Sequence, residues 1–103
     1  LHVIGFDMHH QPVAYCRILP PQKDGLPHIG RVVVQKSHRG SGLGKQLMLE
    51  ALRVVEVQYG SPRSALAAQV YLQKFYEDLG YRVISDVYTW DGIPHIDMVW
   101  KED

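Results

Sequence analysis

The spacing of apolar and polar positions changes several times along the chain, and each change marks an element boundary. Leu1–Phe6 and Pro12–Leu19 read as two strands, and the polar residues Asp7–Gln11 between them read as the turn of a hairpin. Pro20-Pro21-Gln22-Lys23-Asp24-Gly25 is a loop that neither a helix nor a central strand tolerates. Ile29–Val34 is a third strand. From Leu43 onward the period becomes helical. Leu43, Leu47, Ala51 and Val55 recur every four residues, with Met48, Leu52 and Tyr59 on the same face. Lys45, Gln46, Glu50, Arg53 and Glu56 fall on the other side, and Gly60-Ser61-Pro62 stops the helix. Residues 64–79 are ambiguous. Their Ala and Leu content favours one helix, but the periodic face is clean only over Tyr71, Leu72, Phe75, Tyr76 and Leu79, closed by Gly80. A short strand at 64–68 followed by a helix is the other reading. Tyr81–Trp90 reads as one long strand, Asp91-Gly92 as a turn, and Ile93–Trp100 as the returning strand.

Composition narrows the function classes. The 103 residues are 46% apolar, which suits one globular domain over 1–103 with a modest core. Eleven basic and eleven acidic residues cancel. No global charge therefore pulls the chain towards nucleic acid or a membrane, and any anion site must be local. The single Cys16 excludes an internal disulfide and suits a reducing, cytoplasmic setting; its strand-like flanks make it a packed thiol rather than a nucleophile. No apolar run is long enough to span a bilayer. His9 and His10 sit at a turn tip without the further ligands a metal would need, so no metal is expected. Asp24-Gly-Leu-Pro-His-Ile29 and Asp91-Gly-Ile-Pro-His-Ile96 echo each other, and turn chemistry accounts for both. The chain starts inside a strand-like pattern, so earlier elements are expected to be missing. The bare edge of the first strand is then a template for pairing, and a homodimer is one way to cover it.

The most informative stretch joins the third strand to the long helix. Gln35–Lys45 is polar and places three glycines, Gly40, Gly42 and Gly44, within five residues. Strand, glycine turn and helix in that order gather backbone N–H groups at a helix N-terminus, where an anion is stabilised. Glycine lets the backbone approach a phosphate closely, and Arg39 and Lys45 add positive charge. A P-loop fails here, because Gln46 stands where Ser or Thr must follow Gly44-Lys45. A dinucleotide fingerprint also fits poorly, because the glycines run Gly-x-Gly-x-Gly and no acid ends the next strand. A glycine turn without a ligand remains open.

Arg39-x-x-Gly42-x-Gly44 resembles the Arg/Gln-x-x-Gly-x-Gly/Ala signature of the GCN5-related N-acetyltransferases (GNAT). Phe75-Tyr76-Glu77-Asp78-Leu79-Gly80-Tyr81 resembles the family's second hallmark, Phe-Tyr-x-x-x-Gly-Phe. Gly30-Arg-Val, Ala68-Gln69 and Asp91–Met98 look most like the ElaA-like acyltransferases within it. From Leu1 to Lys101 the element order is similar to this fold from its second strand onward, with the first strand and N-terminal helices missing. The resemblance implies an α+β fold, a mixed central β-sheet flanked by helices, and it selects the strand at 64–68. It implies acetyl-CoA as acyl donor, with the pyrophosphate on Arg39, Gly40, Ser41, Gly42, Leu43, Gly44 and Lys45. Pantetheine is expected between the splayed third strand (Val32, Val33, Val34) and Gln69, with the Val33 or Val34 N–H facing the thioester carbonyl. Tyr76 matches the general acid, while Phe75 belongs to the core. An amine acceptor of unknown identity would attack directly in a ternary complex.

The base is not carried over by the motif, since Arg31–Lys36 contains no acid. His95 is the candidate. The last strand should run antiparallel to the strand at 64–68, which brings its start near the thioester. His95 and Asp97 then share a face, and imidazole titrates in a useful range. A structural or acceptor-binding histidine is the competing reading, and His28 enters its strand at the opposite end. The alternative function is a non-catalytic acyl-CoA-binding module or sensor.

Overall fold

The computed structural model describes residues 1–100, so Lys101 and the two residues after it lie outside the described residues. Seven strands and two α-helices follow in the order β1 (His2–Phe6), β2 (Pro12–Leu19), β3 (His28–Val34), α1 (Leu43–Tyr59), β4 (Ala65–Gln69), α2 (Gln73–Glu77), β5 (Tyr81–Val83), β6 (Tyr88–Trp90) and β7 (Ile93–Trp100). They form one mixed sheet in the order β1-β2-β3-β4-β7-β5, with β6 also on β7. Every neighbouring pair is antiparallel except β3–β4. The architecture is the expected one, an α+β mixed sheet flanked by two helices.

Helix α1 occupies the span its four-residue period marks. Leu47, Met48, Ala51, Leu52 and Val55 are buried against Val3, Ala14, Cys16, Ile18, Ile29, Leu66, Ala68, Ile96 and Met98 from the sheet. Each large apolar side chain buried there contributes about 1.5–3 kcal/mol. Gly60 ends the helix in the left-handed conformation, its N–H on the Glu56 carbonyl at 2.8 Å. Tyr59, expected on the buried face, lies exposed at the helix end. Helix α2 adds Tyr76 to the same cluster, so both helices pack on one face of the sheet.

Three local features differ from the sequence expectation or were invisible to it. The segment 81–90 is not one strand. β5 pairs with Trp100, Val99 and Met98, β6 pairs with His95, Pro94 and Ile93, and four residues (84–87) face only Ile96 and Asp97 between them. The surplus loops out because Ser85 takes over the strand's role with its side chain, the Asp97 N–H donating to Ser85 Oγ at 2.8 Å. The helix expected over Tyr71–Leu79 begins as a 3-10 turn at Val70–Leu72 and is α-helical only over Gln73–Glu77. Finally, β3 carries a bulge. Arg31 and Val32 together oppose Cys16, and Arg31 takes φ 54°. That extra residue puts Ile29, Val32 and Val34 on the helix side and leaves Val33 on the open face.

The bulge sits where the sheet divides. β3 and β4 pair only at His28 and Ala65, beside the Ala65 N–H bond to the Pro27 carbonyl at 2.9 Å. Beyond that point the two parallel strands diverge, and among the described residues no ladder joins their facing backbone edges.

Candidate active site

A groove of about 690 Å³ runs through this divergence. Its walls are Val32, Val33 and Val34 of β3, Arg39, Gly40, Gly42, Gly44 and Lys45 of the glycine turn, Gln69 at the end of β4, and Tyr71, Leu72, Phe75 and Tyr76. Most of the expected cofactor residues are therefore brought together. Ser41 and Leu43 do not line it. The Ser41 hydroxyl donates to the His38 carbonyl at 2.5 Å, and the Leu43 side chain packs against the core. Tyr71, Leu72 and Phe75 are lining residues the sequence reading did not assign. Phe75 was expected in the core, yet it is the half-buried ring and Tyr76, 5% exposed, the buried one. The helical spacing of Tyr71 and Phe75, one turn apart, is the signal that would have placed both on one wall.

The turn presents open backbone to the groove. Gly42 is the N-cap of α1 at φ 84°, and Gly40 stands at φ 83°. A Cβ on either would meet nothing within 4 Å, so the space in front of this backbone is open. Among the described residues, the N–H groups of Leu43, Gly44 and Lys45 in the first turn of α1 have no hydrogen-bond partner. Arg39 Nε donates to the Val34 carbonyl at 3.2 Å, which ties the turn to the end of β3. Neither Arg39 nor Lys45 has an acidic partner among the described residues. Two uncompensated cations and a row of free N–H groups converge on one end of the groove.

Val34 and Phe75 stand directly beside the turn, each within 4 Å of where a Cβ on Gly44 would lie, and Tyr76 packs next to Phe75. The Gln35 N–H bonds the Val13 carbonyl at 2.7 Å, towards β2. The N–H of Val34, one residue back, points the opposite way, into the groove. Tyr76 packs edge-on against Phe75 and Tyr81, with ring centroids 5.1 and 6.0 Å away. Its hydroxyl has no hydrogen-bond partner among the described residues and is not sealed from the groove. Burial pushes its pKa up to about 12, so it keeps its proton across the physiological range. Beneath it, burial pushes the Cys16 thiol up to about 11, which fits a packed thiol and not a nucleophile.

His95 pairs with Gln69 across β4 and β7, on the face opposite Ile96 and Met98. It is adjacent to the groove but not among its lining residues. Its Nδ1 lies 2.8 Å from the Ile93 carbonyl, which can only accept, so Nδ1 carries the hydrogen and the neutral ring keeps its lone pair on Nε2. Tyr88 stacks on the ring at 6.1 Å and Trp90 meets it edge-on at 5.4 Å. His28 is bonded to Asp24 at 2.9 Å, away from the groove. Among the described residues no group of His, Cys, Asp and Glu could hold a metal ion, and no helix is long and apolar enough to cross a membrane.

Comparison with known proteins gives a consistent picture. The sequence profile of the acetyltransferase (GNAT) domain matches residues 1–102. A UPF0039 protein of Schizosaccharomyces pombe is 41% identical over 98 residues, covering 94% of this chain and 65% of that protein. Protein ElaA of Escherichia coli is 40% identical over 98 residues, covering 94% of this chain and 63% of ElaA. The chain thus spans a little under two thirds of the length of these relatives. The crystal structure of ElaA superposes with a TM-score of 0.86 at 37% identity, over 97% of this chain and 67% of that one. An acyl-CoA N-acyltransferase from Pseudomonas aeruginosa superposes with a TM-score of 0.89 at 39% identity, again over 97% and 67%.

Proposed function

Since the chain belongs to the GNAT acetyltransferase family, we propose that it transfers an acetyl group from acetyl-CoA to an amine acceptor by direct attack within a ternary complex. The observation that carries this reading is the continuity of the groove. One opening joins the anion-binding turn at Gly40–Lys45 to two unpaired strand edges and then to Tyr76.

Acetyl-CoA supplies the activated acyl thioester. Gly40, Gly42 and the first-turn N–H groups of α1 hold its pyrophosphate, with Arg39 and Lys45 balancing the charge. The bare edges of Val32–Val34 and Gln69 take the pantetheine amides as extra strand partners. The Val34 N–H donates to the thioester carbonyl oxygen as negative charge builds there. His95 Nε2 removes the proton of the attacking amine, while a C–N bond forms to the acyl carbon and the C–S bond breaks. The Tyr76 hydroxyl donates a hydrogen bond to the departing sulfur, which leaves as the CoA thiolate and takes a proton from solvent. The products are an amide and free CoA.

A cytoplasmic setting fits a thioester substrate and a lone thiol kept reduced. Pairing of two chains through the open edge of β1 is the way a homodimer would form, and sedimentation reads it directly.

The test is thermal melting with acetyl-CoA, followed by CoA release over a panel of amines. Acetyl-CoA stabilises the native state by mass action, about 2.7 kcal/mol at one hundred times its Kd. Gly42→Glu puts a side chain and a negative charge into the anion site and abolishes that stabilisation. His95→Gln retains it but lowers turnover by about 10²–10⁴, the usual worth of a general base. A shift unchanged in Gly42→Glu removes the turn from the proposal. Binding without CoA release supports a non-catalytic acyl-CoA module instead.

A further inference from the structure

Beside His95, on the open face of the sheet, lies a carboxylate that the reaction above does not use. Asp97 follows His95 by two residues on β7, so both side chains leave the same face. Tyr88 donates its hydroxyl to Asp97 Oδ1 at 2.5 Å, and the looped-out Ser85 holds the Asp97 backbone N–H at 2.8 Å. The carboxylate is half-buried, yet no Lys, Arg or His among the described residues pairs with it. A partly desolvated charge with no counter-ion is costly unless something else supplies one. Across β4, Asp97 faces the exposed Ala67, whose small side chain leaves the approach open, while His95 faces Gln69 at the groove. The rings of Tyr88 and Trp90 flank His95, and Tyr88 reaches on to Asp97, a setting that favours an organic cation.

Building on the transferase reading, we propose that Asp97 is a specificity-determining residue for a diamine acceptor: it holds one ammonium group while the second amine, deprotonated by His95, attacks the thioester. An ammonium held by Asp97 cannot itself be the nucleophile, because the carboxylate stabilises its protonated form. The reacting nitrogen must therefore be a different one. Strand geometry sets the separation. Two residues along β7 span about 6.6 Å, and three single bonds in an extended chain span about 3.8 Å. The two nitrogens are then roughly five bonds apart, as in 1,4-diaminobutane.

The experiment compares CoA release from acetyl-CoA with 1,4-diaminobutane and with 1-aminobutane, in the wild-type chain and in Asp97→Asn. Asparagine keeps an acceptor oxygen for Tyr88 and removes only the charge, and thermal melting confirms that the variant folds. The wild type is expected to prefer the diamine at least about tenfold in kcat/KM, as a charge-assisted contact of about 1.5 kcal/mol or more requires. In Asp97→Asn the ratio should fall to about one, through KM for the diamine. Release with both amines but no preference, or a preference that survives in Asp97→Asn, overturns the subsite and leaves the transferase reading standing. Calorimetric titration of 1,4-diaminobutane into the CoA-saturated chain reads the subsite without turnover. Binding that is lost in Asp97→Asn upholds the subsite even if no amine releases CoA, which would overturn the transferase reading alone. Absence of both binding and release overturns the two together.

Discussion

Tyr76→Phe separates the chemistry of the site from its packing. The substitution removes one hydroxyl that has no hydrogen-bond partner among the described residues and leaves the ring between Phe75 and Tyr81. Stability should therefore change by no more than about 0.5 kcal/mol. The effect on turnover follows from the raised pKa. Burial holds Tyr76 at about 12, whereas a thiol titrates near 8.5. Moving the proton completely from Tyr76 to the leaving thiolate is then uphill. The hydroxyl accordingly acts as a hydrogen-bond donor to the developing charge, without giving up its proton. A hydrogen bond to a charged partner is worth about 1.5–3 kcal/mol. The expected loss in kcat is thus about 10- to 150-fold, short of the 10²–10⁴ that full general-acid catalysis can supply. Initial rates of CoA release at saturating acetyl-CoA and amine measure it, with melting of the same preparations as control. The pH–rate profile gives a second check, since Tyr76 stays protonated up to about pH 12 and should impose no alkaline limb near pH 10. A rate loss beyond about 10³ would refute the hydrogen-bond argument. Wild-type turnover in the Phe variant would remove Tyr76 from the reaction.

Two stability predictions follow from the core. Gly80 stands at φ 105°, and a Cβ there would sit 2.5 Å from Trp100 Nε1, which donates to the Leu79 carbonyl at 2.8 Å. Gly80→Ala should cost about 2–5 kcal/mol by backbone strain and overpacking together. Gly60→Ala, with φ 84° but open space, should cost only about 1–2 kcal/mol in the same urea titration; equal losses would refute the steric reading. Burial raises Cys16 from 9.0 to about 11 and Tyr76 from 10.0 to about 12, and raises Tyr81 as well. The folded chain then keeps protons that the unfolded chain releases. Their contribution is intact below about pH 9 and is lost as pH rises towards 12; urea midpoints that stay level from pH 9 to 11 would contradict it.

What the sequence determined by itself was whatever depends on neighbours a few residues apart. Helix α1 spans Leu43–Tyr59 because its apolar period and the glycines at its ends are local facts. The Asp91-Gly92 turn adopts positive φ at both residues for the same reason, and the spacing of Arg39, Gly40, Gly42 and Gly44 sets them together along the groove. What only the tertiary structure decided depends on partners far along the chain. Ala65–Gln69 is a strand because β7 offers it a ladder, against the helical preference of its alanines. The strand after Tyr81 breaks because Ser85 Oγ receives the Asp97 N–H, a contact no period encodes. The bulge at Arg31 turns Val33 to the open face, and the single β3–β4 pair at His28 lets the groove exist at all. The roles of Tyr76 and Phe75 likewise depend on which ring the sheet buries. The Tyr88 hydroxyl meets Asp97 only because β6 and β7 fold back on each other. Short-range geometry is written in residue type and spacing. Burial, proton affinity and the meeting of distant polar groups arise only once the sheet is assembled, because each is a property of what surrounds a residue in space.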